Sequence, residues 1–328
     1  MRRYIYETLH PEIYHGYGKK SPYFEGWYYK LISADERTRY AVIPGVFYGQ
    51  NDKKDHAFVQ VLDGMTGKAT YHEYPVGDFW ADEEVFDVRV GPNRFRRDCL
   101  ALDIDDELRS VYGELRLGEG HAWPVSIREP GVMGWYAWLP FMECYHGILS
   151  FDHGITGSLA VDGQRLDFTG GRGYMEKDWG QAFPEAYVWH QSNHFDTPHT
   201  SLVASIALIP SVGRTFAGFL AGFYHHRKLY RMTTYTGAQV ERLDITDDKV
   251  FYTLRDRRYR LAMISERRSG GLLKAPIRTE MHKRVDETMQ STIDVRFSEL
   301  DGTLIYEGQG RNAALEVHGK LDDLVNLA

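Results

Sequence analysis

From Tyr23 onward, apolar and polar positions alternate in short runs, and nearly every run stops at a turn residue. The first run, 23–32, combines aromatic and β-branched residues with a period of two, which predicts a strand. Alternation puts Glu25, Trp27 and Tyr29 on one face and Phe24, Gly26, Tyr28 and Lys30 on the other. Similar runs follow at 40–48, 56–62, 69–76, 85–90, 95–104 and 110–117. The breaks at 49–52, Asp63-Gly64, 91–93 and 105–107 are turn chemistry at regular spacing, as in a sandwich or barrel. No amphipathic helix longer than about three turns is found. Residues 1–22 read as an irregular arm and 129–140 as an aromatic loop. Residues 283–290 read as a short helical or solvated segment, and the stretch after 319 as a polar tail. The pattern predicts an all-β fold.

Runs at 155–161 and 166–169 flank Asp162-Gly163 as a hairpin; the rhythm starts again with runs from 202–209 and 216–225 onward, where Asp301-Gly302 marks another hairpin. The two halves echo each other. One opens with Phe24-Glu-Gly-Trp27 and the other with Ala186-Tyr-Val-Trp189. One closes with Gly171-Arg172 and Glu176, the other with Gly310-Arg311 and Glu316. The expectation is a duplicated β-barrel, with domains at 1–182 and 183–328.

Composition narrows the function. Of 328 residues, 14% are aromatic, and the net charge is −7. That charge speaks against nucleic acid as the main partner. Two cysteines, Cys99 and Cys144, cannot form a disulfide framework, so a reducing, cytoplasmic setting is expected. The N-terminal segment carries no apolar run of the secretory kind, and no 18-residue apolar span exists for a membrane crossing. Peripheral membrane contact through the aromatic loop stays open.

The densest chemistry lies at 171–195. Glu176, Lys177 and Asp178 sit among Tyr174, Trp179, Phe183 and Tyr187. On a strand, Glu176 and Asp178 share a face, and two close carboxyls push one pKa up. The alternative is an ion network of Arg172, Glu176, Lys177 and Asp178. For Glu25 the alternative is a buried carboxylate paired with Arg or Lys. Metal ligation is not expected, because His190 and His194 fall on a strand and the other histidines lack ligand spacing. Gly308-Gln-Gly310-Arg-Asn-Ala313 has the letters of a dinucleotide fingerprint but no βαβ context.

At Ser21-Pro-Tyr-Phe-Glu-Gly-Trp-Tyr-Tyr-Lys30 the chain resembles the tocopherol cyclase family. The resemblance continues at Met133-Gly-Trp, at 140–150, at Gly173-Tyr-Met-Glu-Lys-Asp-Trp-Gly180, at Trp189-x-Gln191-x-Asn193 and at Ala314-Leu-Glu-Val317. It implies two lipocalin-like (calycin) barrels in tandem, related to carotenoid hydratases. It also implies acid-catalysed cyclisation, or hydration, of a prenylated hydrophobic small molecule, without metal or redox cofactor. Such chemistry asks for a protonated acid in a water-poor hollow and for ring faces near the cation. The candidate acids are Glu176, Asp178 and Glu25. The candidate pocket residues are Trp27, Tyr29, Trp179 and Trp189 as rings, with Gln191 and Asn193 orienting a substrate oxygen. A carrier that binds such a molecule and leaves it unchanged is the competing reading, and filled barrels serving a structural role are a third.

Overall fold

The computed structural model describes residues 1–50, 54–211 and 214–328, so part of the turn expected at 49–52 lies outside the described residues. The chain divides into two compact units. The first is Met1–Phe183 with Leu272–Arg284, and the second is Pro184–Gly271 with Val285–Ala328. Both are β-structures, as the alternation predicts.

The first unit begins with a helix, α1 (Arg2–Leu9). Its strands are β1 (Tyr23–Ile32), β2 (Arg39–Tyr48), β3 (His56–Asp63), β4 (Ala69–Tyr74), β5 (Phe79–Ala81) and β6 (Asp87–Val90). They continue with β7 (Asn93–Arg96), β8 (Cys99–Asp105), β9 (Ser110–Leu117), β10 (Cys144–Val161), β11 (Gln164–Asp167) and β12 (Gly171–Gly180). The sheet order is β4-β3-β2-β1-β12-β10-β9-β8-β7-β6-β5, with β11 paired to β10. β3 also contacts β6, across the curl of the sheet. The β10–β11 hairpin turns at Asp162 and Gly163, whose φ values of 50° and 81° suit a two-residue hairpin loop.

The second unit holds β13 (Ala186–Ser192), β14 (Thr200–Ser211), β15 (Arg214–His225), β16 (Lys228–Thr233), β17 (Gln239–Ile245), β18 (Lys249–Arg255) and β19 (Tyr259–Glu266). β20 (Gly271–Ile277), β21 (Glu280–Glu299), β22 (Leu304–Gly319) and a terminal helix α2 (Leu321–Leu327) complete the chain. The order β16-β15-β14-β13-β22-β21-β19-β18-β17 matches that of the first sheet. In each unit the opening strand lies between the second strand and the last, which is the physical form of the echo between the halves.

Three local expectations are corrected. The N-terminal arm starts with a helix, α1, none of whose residues is buried. The segment 283–290 is neither helical nor a loop but runs inside β21. The terminal polar stretch forms α2, which buries Leu324 against β13, β15 and β17.

β12 is the last strand of its unit in sequence yet lies mid-sheet, between β1 and β10. Its register sets Glu25 opposite Trp179, Trp27 opposite Lys177 and Tyr29 opposite Met175. This face joins the main core, with Trp27, Tyr29, Leu31, Met175 and Trp179 packed against Val42, Val46 and Phe95. A fully buried side chain of this size stabilises by roughly 2–3 kcal/mol over an exposed one. The opposite face carries Phe24, Tyr28, Lys30, Tyr174, Glu176 and Asp178. Phe24 there packs with Phe47, Phe58 and Met281.

Candidate active site

On the inner face of β1 and β12 a buried carboxylate meets a buried ammonium. Glu25 and Lys177 are fully enclosed and form an ion pair through Glu25 Oε1. Lys177 Nζ also donates to the carbonyls of Pro11 (3.1 Å) and Ile13, and it lies 2.7 Å from His15 Nδ1. Since Lys177 can only donate, His15 Nδ1 accepts, and its proton sits on Nε2, facing the Glu7 carbonyl at 3.0 Å. Glu25 takes the backbone N–H of His15 at 3.0 and 2.9 Å, and the hydroxyl of Tyr23.

Burial alone would raise the Glu25 pKa, but Lys177 and His15 outweigh it and hold the carboxyl below its ordinary range. Burial draws Lys177 and His15 down, against the pull of Glu25 on both. His15 is therefore neutral, in agreement with its tautomer. The indole of Trp179 is sandwiched between His15 (4.4 Å) and Tyr145 (5.4 Å), and the ammonium lies over the rings of Trp27 and Trp179 at 5.0 and 4.6 Å. Beside this cluster opens a cleft of about 130 Å³, walled by Pro11, Tyr23, Met133, Met142, Tyr145 and Trp179.

The opposite face of the sheet holds a second cluster. The β10–β12 register puts His146 opposite Asp178. His146 Nδ1 donates to Asp178 Oδ1 at 2.7 Å. His146 Nε2 lies 3.5 Å from Glu176 Oε2, near enough for attraction, but makes no hydrogen bond. Tyr174 donates its hydroxyl to Glu176 Oε2 at 2.5 Å. Burial would lower the imidazole pKa, yet the charges of Asp178 and Glu176 and the bond to Asp178 raise it to about 9. At neutral pH His146 is a cation between two carboxyl groups, with one N–H committed and the other uncommitted. Tyr28, across the strand pair from Glu176, meets the Tyr174 ring edge-on at 6.5 Å.

The residues singled out from sequence fall into three places. Glu25, Trp27, Tyr29 and Trp179 face the interior of the first sheet. Glu176 and Asp178 share the other face, so the sheet separates them from Glu25. Trp189, Gln191 and Asn193 belong to the second unit, where all three are buried. The proposed ion network takes another form: Arg172 binds Asp152 at 2.9 and 2.8 Å, and Lys177 turns inward to Glu25. Sequence reasoning missed His146 and His15 as members of these clusters. The only sequence signal for His146 was its place in the 140–150 block of the family resemblance. Of the described residues, His146, Glu176 and Asp178 form the grouping able to hold a metal ion, with donor atoms within 4.8 Å of one another. A cation there would have to replace the imidazole proton.

A curled antiparallel sheet and a second sheet of the same strand order define an all-β class with the form expected of tandem calycin-like barrels. Within it, the chain belongs to the tocopherol cyclase-like family, whose profile matches residues 116–319. It is 24% identical over 277 residues to a probable chloroplastic tocopherol cyclase of Oryza sativa subsp. japonica, and 25% identical over 277 residues to the chloroplastic tocopherol cyclase of Zea mays. Each match covers 68% of this chain and 58% of the relative, so the chain spans little more than half the length of these relatives. Among solved structures it is similar to CghA with Sch210972, at TM-score 0.56 and 14% identity over 91% of this chain and 89% of that one. It also resembles a putative AttH from Nitrosomonas europaea, at TM-score 0.51 and 13% identity over 89% and 92% of the two chains. At these identities the structural likeness concerns the fold.

Proposed function

We propose that the chain is an enzyme of the cyclase or hydratase type, acting on a prenylated hydrophobic molecule, with proton transfer centred on His146, Asp178 and Glu176. The observation that carries this reading is the imidazolium whose Nδ1–H is held by Asp178 while its Nε2–H has no hydrogen-bond acceptor. Family membership supports the reaction class.

The chemistry balances without a cofactor. The alkene π pair takes the Nε2 proton at its less substituted carbon, leaving a tertiary cation. Glu176 and Asp178 lower the energy of that cation, as do the faces of Tyr28 and Tyr174. A phenolic oxygen of the substrate closes the C–O bond, and its proton passes to Glu176, 3.5 Å from Nε2, and from there back to that nitrogen. The net result is isomerisation. If water attacks instead, the product is the hydrated alcohol. Glu25 is left out of the acid role because Lys177 keeps it ionised, and its work is to hold the arm residues 11–15 over Trp179.

The test is incubation with a prenylated hydroquinone in D2O. Cyclisation gives an isomer carrying one carbon-bound deuterium. His146→Gln and Asp178→Asn should each lower kcat by about 10²–10⁴. Full turnover in His146→Gln would remove the proposal. Tight binding with unchanged ligand recovered would favour the carrier, a reading supported by the ring-walled cleft beside Trp179.

A further inference from the structure

The first unit exposes large apolar side chains around α1 and the 3-10 segment Gly131–Trp138. Ile127 is 73% exposed, Phe141 66% and Trp135 48%, with Ile5 at 42%. Contacts put these residues in one neighbourhood. Tyr4 of α1 donates its hydroxyl to the Trp138 carbonyl at 2.5 Å, and its ring meets Trp138 at 6.1 Å. Trp138 in turn donates its indole N–H to the Ile127 carbonyl at 3.0 Å. Pro140, beside Phe141, shares the wall of the Trp179 cleft with Tyr4, Lys19 and Lys20. Scattered exposed hydrophobes need no explanation, but a grouped set that includes tryptophan and phenylalanine does.

Charge indicates what covers the patch. Arg2, Lys19, Lys20 and Arg128 are exposed there, in a chain of net charge −7. Among the described residues none of these four cations forms an ion pair, whereas the neighbouring Arg3 is taken up by Glu7 and Glu83. Exposed apolar side chains with four uncommitted cations near them, and Glu83 already taken up by Arg3, match a bilayer surface whose headgroups are anionic. We infer that this patch docks the protein peripherally on an anionic membrane. Ile127, Trp135 and Phe141 enter the headgroup layer, and the four cations meet lipid phosphates. The cleft beside Trp179 then opens toward the lipid.

The inference stands on exposed side chains and is independent of the chemistry proposed above, because its test reads partitioning and not turnover. The full chain is floated with vesicles of phosphatidylcholine alone and of phosphatidylcholine mixed with phosphatidylglycerol. Binding to the mixed vesicles, weakened by salt, is the expected result. Phe141→Ser with Ile127→Ser, and separately Lys19→Glu with Lys20→Glu, should each lower the partition coefficient by about tenfold or more. Both pairs are surface changes, and circular dichroism verifies that the variants stay folded. Failure to float with either vesicle overturns the inference. So does a concentration-dependent dimer that Phe141→Ser with Ile127→Ser dissolves, which would make the patch an interface between copies.

Discussion

His146 ties the candidate site to a titration that can be watched directly. Its pKa is about 9 in the folded chain, against about 6.5 when unperturbed. A raised histidine pKa stabilises the fold in full below the unfolded value and loses that contribution as pH climbs through the folded one. The difference corresponds to about 3 kcal/mol, given up between pH 6.5 and 9. Asp178→Asn should bring the imidazole pKa down in an NMR titration and flatten the fall in urea midpoint over that window. An unchanged slope would mean that Asp178 is not its main partner. On the other face, Lys177→Met strands Glu25 as a buried anion and should cost about 3–5 kcal/mol in urea unfolding, much of it recovered by adding Glu25→Gln. A lysine variant no less stable than wild type would show that the pair contributes little. The sequence alone shows that Glu176 and Asp178 share a face, because alternation is local. It does not show His146, which reaches them through the β10–β12 register; it does foresee a buried Glu25 paired with Arg or Lys, though not that the partner is Lys177, about 150 residues away.

At the scale of elements, β12 ends where a side chain has no room. Gly180 has φ 150°, and a Cβ there would lie 2.3 Å from the Glu143 carbonyl oxygen on the neighbouring chain segment. Gly180→Ala should therefore destabilise by about 1–3 kcal/mol, read as a lower denaturant midpoint at unchanged slope. A midpoint equal to wild type would show that the β10–β12 margin yields easily. Strands were legible because each carries its own period of two. The short helices were not. α1 is eight residues long and buries none of them, and α2 buries Leu324 alone. Residues 283–290 look solvated in sequence because Lys283, Arg284, Asp286 and Glu287 crowd them, yet they lie within β21, where Glu287 and Thr288 pair with β22.

For the molecule as a whole, the shared strand order sets the opening strand beside the closing one in both sheets, with the echoing residues one position out of register: Trp27 faces Lys177, whereas Trp189 faces Glu316. Alternation gives no hint that Leu272–Arg284 folds with the first unit. There Gln60 exchanges two hydrogen bonds with the Lys274 backbone, Arg278 binds Glu143 at 2.9 Å, and Met281 covers Phe24, Phe47 and Phe58. A chain cut after Phe183 should leave those rings bare, and is expected to bind a hydrophobic dye and aggregate in size-exclusion chromatography. A monodisperse, dye-silent fragment would show that Leu272–Arg284 is dispensable.

That late-arriving cover has a consequence for birth on the ribosome. The first unit has β1 to β12 once residue 183 has emerged, yet its aromatic outer face waits for residues 272–284, about 100 positions downstream. At typical elongation rates the wait is roughly 5–20 s. During that interval the nascent barrel presents a greasy flank to the cell, so a chaperone that holds aromatic surface should be found on stalled chains from which 183–271 residues have emerged and absent from those with more than 284 emerged.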